Sequence, residues 1–203
     1  MDRRILKTRS VIKESLTVLM KEKPFDKITI KDITEKANIN RATFYLHYMD
    51  KYDLLEQSQD EILNEIKDVL SNAFKTFNLE SLPIQDENTI IPFLTCIYEC
   101  IEKNSEFVKV VLGGNGDLNF QFKFKSLIEE LIKNISLIKT TSSFCIPMKY
   151  LIETATSIHI GIISKWLEDG MDETPYELAC IVSTLITAIS NSVIKSNDYL
   201  NNR

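Results

Sequence analysis

Residues 28–55 read ITIKDITEKANINRATFYLHYMDKYDLL, and this stretch decides the fold. It holds three helix-start signals within about twenty residues. Thr29 precedes Ile30, Lys31 and Asp32, a T-x-x-D form of the capping box in which hydroxyl and carboxylate each satisfy an orphan N–H. Asn40 stands before Arg41 and Asp50 before Lys51, both N-cap residues by type. Starts this close leave room only for short helices: one over 30–37, a turn at 38–40, and a second over 41–48. Ile30, Ile33 and Ala37 give the first an inward face, and Phe44 with Tyr48 at i+4 gives the second its own. With Phe44 at 0° on a helical wheel, Tyr45, Ala42, Leu46 and Thr43 fall at about 100°, 160°, 200° and 260°, and point outward. Two short helices of this kind suit the B-DNA major groove, roughly 12 Å wide, which admits one helix while the other crosses the backbone.

The flanking sequence is helical nearly throughout, because apolar residues recur at three, four and seven positions. Arg3–Glu22 carries Ile5, Ile12, Leu16 and Leu19 on one stripe and stops before Pro24. From Lys51 a long helix is expected to about Phe77, with Leu55, Ile62, Ile66, Val69 and Ala73 on one face. Residues 78–88 read as a loop, and a continuous helical pattern then runs to Leu112, broken by Gly113, Gly114 and Gly116. Phe120, Phe122 and Phe124 alternate as in a strand, but Leu127, Ile128, Leu131, Ile132 and Ile135 carry a helical period, so 117–138 is taken as helix. A helix over 147–168 is closed by Gly170; Thr174, Pro175 and Glu177 then start a last one, to about Lys195. The expected fold class is all-α, with a DNA-binding domain over 1–50 and a regulatory and dimerisation domain over 51–203.

Composition narrows the function classes. With 203 residues, 44% hydrophobic, and only 5 Gly, 5 Pro and 4 Cys, the chain is neither collagen-like, disulfide-dense nor disordered. No apolar run approaches the roughly 20 residues that cross a bilayer, and MDRRILKTRS lacks an apolar signal region, so a cytoplasmic location is expected and no membrane partner. The net charge of -5 is unevenly placed: residues 1–51 hold twelve Lys or Arg against seven Asp or Glu, and the remainder twelve against twenty-two. A basic quarter on an acidic body points to a local anion-binding surface. No G-x-S-x-G, P-loop, H-E-x-x-H or Rossmann glycine pattern occurs, and no enzyme activity, cofactor or metal is expected. Cys96, Cys100, Cys145 and Cys180 read as thiols in a reducing compartment.

Residues 29–54 resemble the DNA-binding signature of TetR/AcrR-type transcriptional regulators, T-x-x-x-I-A-x-x-A-G-V-S-x-x-T-x-Y-x-H-F-x-x-K-x-x-L. The matches are Thr29, Ile33, Ala37, Thr43, Tyr45, His47, Lys51 and Leu54, with Tyr48 in place of the usual Phe. Thr34, Asn38 and Asn40 depart from the family's Ala, Gly and Ser, yet Asn tolerates left-handed backbone and caps helices well. Gly161, Trp166 and Gly170, followed by Thr174-Pro175, resemble the G-x-x-x-x-W-x-x-x-G…S/T-P ending of many such regulators.

The resemblance implies a homodimer, formed through about 147–196, that reads a two-fold double-stranded DNA operator and answers to an unknown small-molecule effector. It places Arg41, Ala42 and Thr43 at base edges, Tyr45, His47 and Lys51 at phosphates, and Thr29, Lys31 and Asn40 beside them. Arg3, Arg4, Lys7 and Arg9 read equally as a minor-groove arm or as a solvated basic terminus. Apolar Ile158, Ile162 and Trp166 on one helix and Ile181, Leu185, Ile189 and Val193 on the other would line the dimer face. The aromatic-rich middle, Phe74, Phe77, Phe93, Tyr98, Phe107, Phe120, Phe122, Phe124 and Phe144, serves as core or as pocket, and Phe93, Cys96, Tyr98, Cys100, Phe124 and His159 are the effector-side candidates. A helical binding module of the same fold that no longer binds an operator is the alternative reading.

Overall fold

The computed structural model describes residues 3–77, 87–113, 118–134 and 147–201, and among them every regular element is helical. The helices are α1 (Arg3–Glu22), α2 (Ile30–Lys36), α3 (Arg41–Tyr45), α4 (Lys51–Phe77), α5 (Glu87–Lys103), α6 (Ser105–Leu112), α7 (Leu118–Asn134), α8 (Met148–Glu168) and α9 (Pro175–Asn201). Phe144 and Cys145 lie outside the described residues, as do the side chains of Phe74, Phe77, Ile189 and Val193.

The chain forms two compact units, Met1–Asn64 with Asn104–Gln121, and Glu65–Lys103 with Phe122–Arg203. The division falls inside α4, so this helix belongs in part to each. In the first unit α1 buries Ile12, Leu16, Leu19 and Met20 and packs against α2 and α6. Ile5, expected on that stripe, is 40% exposed, because the stripe finds partners only from Ile12 onward. The basic segment thus shares its core with α6, whose Phe107, Val108, Val110 and Val111 are buried.

One expectation changes on the structure, and one is met. The continuous helix before Gly113 is two, α5 and α6, which meet at Asn104, where φ -106° and ψ 15° end one helix and Asn104 O accepts from Phe107 N to start the next. Both sides bury apolar residues at helical spacing, so periodicity alone ran through the break. The phenylalanine alternation resolves as helix: Phe120, Phe124 and Ile128 are buried at i, i+4 and i+8, and Phe122 is 65% exposed.

In the second unit α5 packs along α9, where Leu178, Ala179, Val182 and Ser183 are buried. The α8–α9 corner is built as the sequence implies. Gly170 takes φ 92° past the end of α8, with Gly170 N donating to Leu167 O and Met171 N to Trp166 O, the paired bonds of a Schellman end. Thr174 and Glu177 exchange capping bonds, Thr174 N to Glu177 Oε2 at 2.8 Å and Glu177 N to Thr174 Oγ1 at 3.3 Å, and Pro175 takes the first helical position. Trp166 Nε1 donates to Glu173 O across the corner. No described helix is long and apolar enough to cross a membrane.

Candidate nucleic-acid interface

Each helix end of the α2–α3 unit is satisfied by a residue within it. Thr29 Oγ1 accepts from Asp32 N at 3.2 Å, and Asp32 Oδ2 accepts from Thr29 N at 2.8 Å. The Asp32 carboxyl is held down at about 2, chiefly by its bond from Lys23 and then by those from Thr29. After α2 the chain turns through Asn38 at φ 52°, the left-handed backbone that Asn tolerates in place of glycine. Asn38 N donates to Glu35 O and Ile39 N to Thr34 O, again the Schellman pair. Buried Thr34, where the family has Ala, returns its hydroxyl to Lys31 O. Asn40 Oδ1 then accepts from Thr43 N at 2.7 Å and from Thr43 Oγ1 at 3.0 Å, which fixes the start of α3.

α2 and α3 are shorter than expected, ending at Lys36 and Tyr45. Residues 46–48 still point their N–H groups back, Leu46 N to Ala42 O and Tyr48 N to Phe44 O, so the inward face persists beyond the helix. Phe44 and Tyr48 are buried with ring centroids 5.8 Å apart. Of the four residues that the helical wheel points outward, Ala42, Tyr45 (55%) and Leu46 (81%) are exposed and Thr43 is half-buried; Arg41 is exposed and His47 half-buried to either side of Phe44. Thr29, Lys31 and Asn40 are exposed on the same α2–α3 unit.

Lys51, expected at a phosphate, has its ammonium engaged inside the chain. Its ammonium donates to three carbonyls, Phe25 O at 3.0 Å, Asp26 O at 2.9 Å and Ile28 O at 2.9 Å, and lies 4.8 Å and 5.2 Å from the ring centres of Phe25 and Tyr52. An ammonium has three N–H donors, and all three are used inside the protein. The N–H groups beside it are also taken, since Asp50 Oδ1 accepts from Tyr52 N and Asp53 N. Lys51 therefore ties the 3-10 turn Phe25–Lys27 to the start of α4.

Arg9 is a positioning residue that the sequence left between two readings. Its guanidinium donates to Gln57 Oε1 at 2.9 Å and Glu61 Oε1 at 2.6 Å and lies 5.0 Å from the Tyr48 ring centre. It joins α1, the end of the α3 segment and α4. Its partners stand 48 and 52 residues away, where no local pattern reaches.

Residues 15–57 match the model described as bacterial regulatory proteins of the tetR family, and residues 88–188 match a transcriptional regulator C-terminal region. The chain belongs to the TetR family. It is 44% identical over 73 residues to YxbF of Bacillus subtilis (strain 168), an uncharacterised HTH-type transcriptional regulator; the match covers 36% of this chain and only 19% of that relative. Among solved structures, a TetR transcriptional regulator from Streptococcus agalactiae 2603V shares the fold at TM-score 0.56 and 24% identity, over 91% of this chain and 96% of that one. The fatty acid degradation regulator FadR from Bacillus halodurans does so at TM-score 0.63 and 12% identity, over 89% and 94%.

In this TetR-family chain the effector-side candidates all lie in the second unit, on three helices: Phe93, Cys96, Tyr98 and Cys100 on α5, Phe124 on α7 and His159 on α8. Phe93, Tyr98, Cys100 and Phe124 are buried; Cys96 and His159 are half-buried. The Tyr98 ring lies 6.3 Å from Trp166, and its buried hydroxyl has no hydrogen-bond partner among the described residues. Burial, with Glu65 adding to it, pushes the Cys100 thiol up to about 11, and burial also raises Cys96, so neither is a ready thiolate. His159 Nδ1 lies 2.8 Å from Ala155 O, and burial lowers its pKa, which favours a neutral ring that donates from Nδ1.

Proposed function

We propose that this TetR-family regulator is an effector-responsive repressor that binds a palindromic double-stranded DNA operator as a homodimer, with residues 1–50 as the reading domain and 51–203 as the regulatory and dimerisation domain. The observation that carries the reading is the outward face of α3: Arg41, Ala42, Thr43 and Tyr45 stand away from a core that holds Phe44 and Tyr48, on a helix whose start and preceding turn are fixed by their own caps. A preorganised short helix whose reading residues face outward loses little conformational freedom on entering a groove. Arg41 serves base edges or phosphate, Thr43 and Ala42 base edges, Tyr45 and His47 phosphate, with Lys31, Thr29 and Asn40 beside them.

One recognition helix gives little specificity, and two-fold operators match two-fold proteins. Support for pairing comes from α8 and α9: Ile181 and Leu185 are 44% and 42% exposed, Tyr176 is 59% exposed, and a Cβ added at exposed Gly161 would meet nothing in its own chain. A bare helix surface of that kind accepts a second helix at close range. Because α4 starts at the end of the reading segment and continues into the second unit, an effector that favours one arrangement of α4 would bias the spacing of two reading helices. Such coupling needs different effector affinity in the two arrangements.

The test is a gel shift with DNA from upstream of the protein's own coding region, over a range of salt, beside light scattering for the oligomer. The expected result is a dimer whose affinity falls steeply with salt and drops at least tenfold in Arg41→Ala and Tyr45→Ala. A monomer, or no binding to any genomic fragment at low salt, refutes the reading and leaves the module that has lost its operator.

A further inference from the structure

Leu46 is the most exposed large apolar side chain among the described residues, at 81%. It is not at a loop tip. Its backbone sits at φ -71° and ψ -18°, and its N–H bonds Ala42 O at 3.1 Å, so it continues the surface of α3 by one further residue. Ala42, four residues earlier and also exposed, lies on the same side of the helix. The pair makes a narrow apolar strip along the outward face, flanked by the hydroxyls of Thr43 and Tyr45 and by the Arg41 guanidinium.

A groove-reading helix that carries an apolar strip has few surfaces to match it. The edges of the base pairs in the B-DNA major groove offer N7, O6 and O4 acceptors, N4 and N6 amino donors, and one apolar group, the thymine C5-methyl. A leucine pressed against an amino group or an O6 would strip it of water and give nothing back, at the cost of an unpaired polar group. Against a methyl it removes apolar surface from water on both sides. We propose that Leu46, with Ala42 beside it, reads thymine C5-methyl groups, so that this regulator selects A·T pairs beneath the middle and end of α3. The proposal rests on the operator-binding reading above and adds to it the base that this face selects.

The experiment begins with selection of bound duplexes from a randomised library by the full-length protein. Each thymine of the selected site is then replaced singly by deoxyuridine, which removes the methyl and keeps O4 and the base pairing. Affinity is measured at one fixed salt concentration for wild type and Leu46→Ala. At one or two thymines per half-site, uracil weakens the wild type about fourfold, the worth of roughly one buried methyl. Leu46→Ala is weaker by a similar factor on the thymine site and no longer distinguishes uracil from thymine there. Its melting midpoint is unchanged, because the side chain touches little in the folded chain. Equal wild-type affinity for all uracil sites overturns the proposal, as does a uracil penalty that persists in Leu46→Ala. A protein that enriches no sequence fails earlier and removes the operator-binding reading together with this one, so the two failures are distinguishable.

Discussion

Replacing Lys51 with methionine keeps an unbranched apolar stem of about the same length and removes the ammonium at its end. If Lys51 were an ordinary solvated lysine at the first position of α4, its charge would oppose the helix dipole, and Lys51→Met would stabilise the protein by about 0.5 kcal/mol. The structure predicts the opposite sign. Three bonds of 2.9–3.0 Å to Phe25 O, Asp26 O and Ile28 O are lost, each worth about 1 kcal/mol net once water replaces the partner. The ring contacts with Phe25 and Tyr52 add about 0.5 kcal/mol. The freed side chain regains roughly 1 kcal/mol of rotamer entropy. With the dipole relief of about 0.5 kcal/mol also returned, the net expectation is a loss of about 2 kcal/mol, which for a chain of this size lowers the melting midpoint by roughly 4–8 °C. Circular dichroism melts of the full chain at matched protein concentration read it, since an oligomer's midpoint moves with concentration. Lys51→Arg should recover only part of the loss, because a planar guanidinium does not send three donors to one clustered set of carbonyls. A midpoint that is unchanged or raised in Lys51→Met refutes the assignment and returns Lys51 to the phosphate backbone.

Three further outcomes are expected. Asn38→Val should cost about 1–2 kcal/mol in urea denaturation, because φ 52° is left-handed and a β-branched residue resists it, while Asn38→Gly stays within about 0.5 kcal/mol; equal stability of the two denies the turn its role. Asp32→Asn should cost about 1 kcal/mol near neutral pH. A folded carboxyl held at about 2 contributes stability that is fully present above its ordinary value of 3.8 and lost as pH falls toward 2, so the variant's acid-unfolding curve should be flatter in that window; superimposable curves contradict the capping box. Burial lowers the pKa of His159 from 6.5, so the folded ring binds fewer protons than the unfolded one and stability declines as pH drops below about 6.5, by at most about 1.4 kcal/mol per pH unit; His159→Gln should flatten that limb, and an unchanged slope assigns it to other groups.

The elements that were legible in the sequence share one property: the partner lies within about four residues. Thr29 with Asp32, Asn40 with Thr43, Asp50 with Asp53, and Thr174 with Glu177 are all capping pairs at i+3, and each is made in the structure. Asn38 and Gly170 are legible for a related reason, since a left-handed residue is selected by its own backbone rather than by a distant neighbour. The outward face of α3 followed from the helical period once Phe44 was set inward. What escaped was set by tertiary packing. Lys51 meets carbonyls 23 to 26 residues before it, and Arg9 meets side chains 48 and 52 residues after it. The alliance of α1 with α6 crosses some ninety residues, and the break at Asn104 leaves the apolar period on either side intact. Nothing in a local window encodes such choices.

The charge asymmetry gains a finer meaning from the same distinction, because the basic residues of the first unit differ in what it takes to release them to a phosphate. Lys51 and Arg9 are held by several bonds each, so moving them would loosen the frame that positions α3. Lys31 and Lys36 sit in exposed single ion pairs with Glu35 and Glu22, at 3.7 Å and 3.3 Å; pairs of that kind are worth only a few tenths of a kcal/mol and exchange readily for phosphate. Exposed Arg41 and Lys27 have no ion-pair partner among the described residues. The positive charge that is not tied into the frame is therefore smaller than the twelve Lys and Arg of residues 1–51 imply, and it lies on the α2–α3 unit, on the turn before it and on exposed Arg3 and Lys7 at the start of α1. A slope of log affinity against log salt corresponding to about four to six phosphates per subunit would agree with that distribution; a slope near ten would mean that Arg9 and Lys51 leave their internal partners on binding.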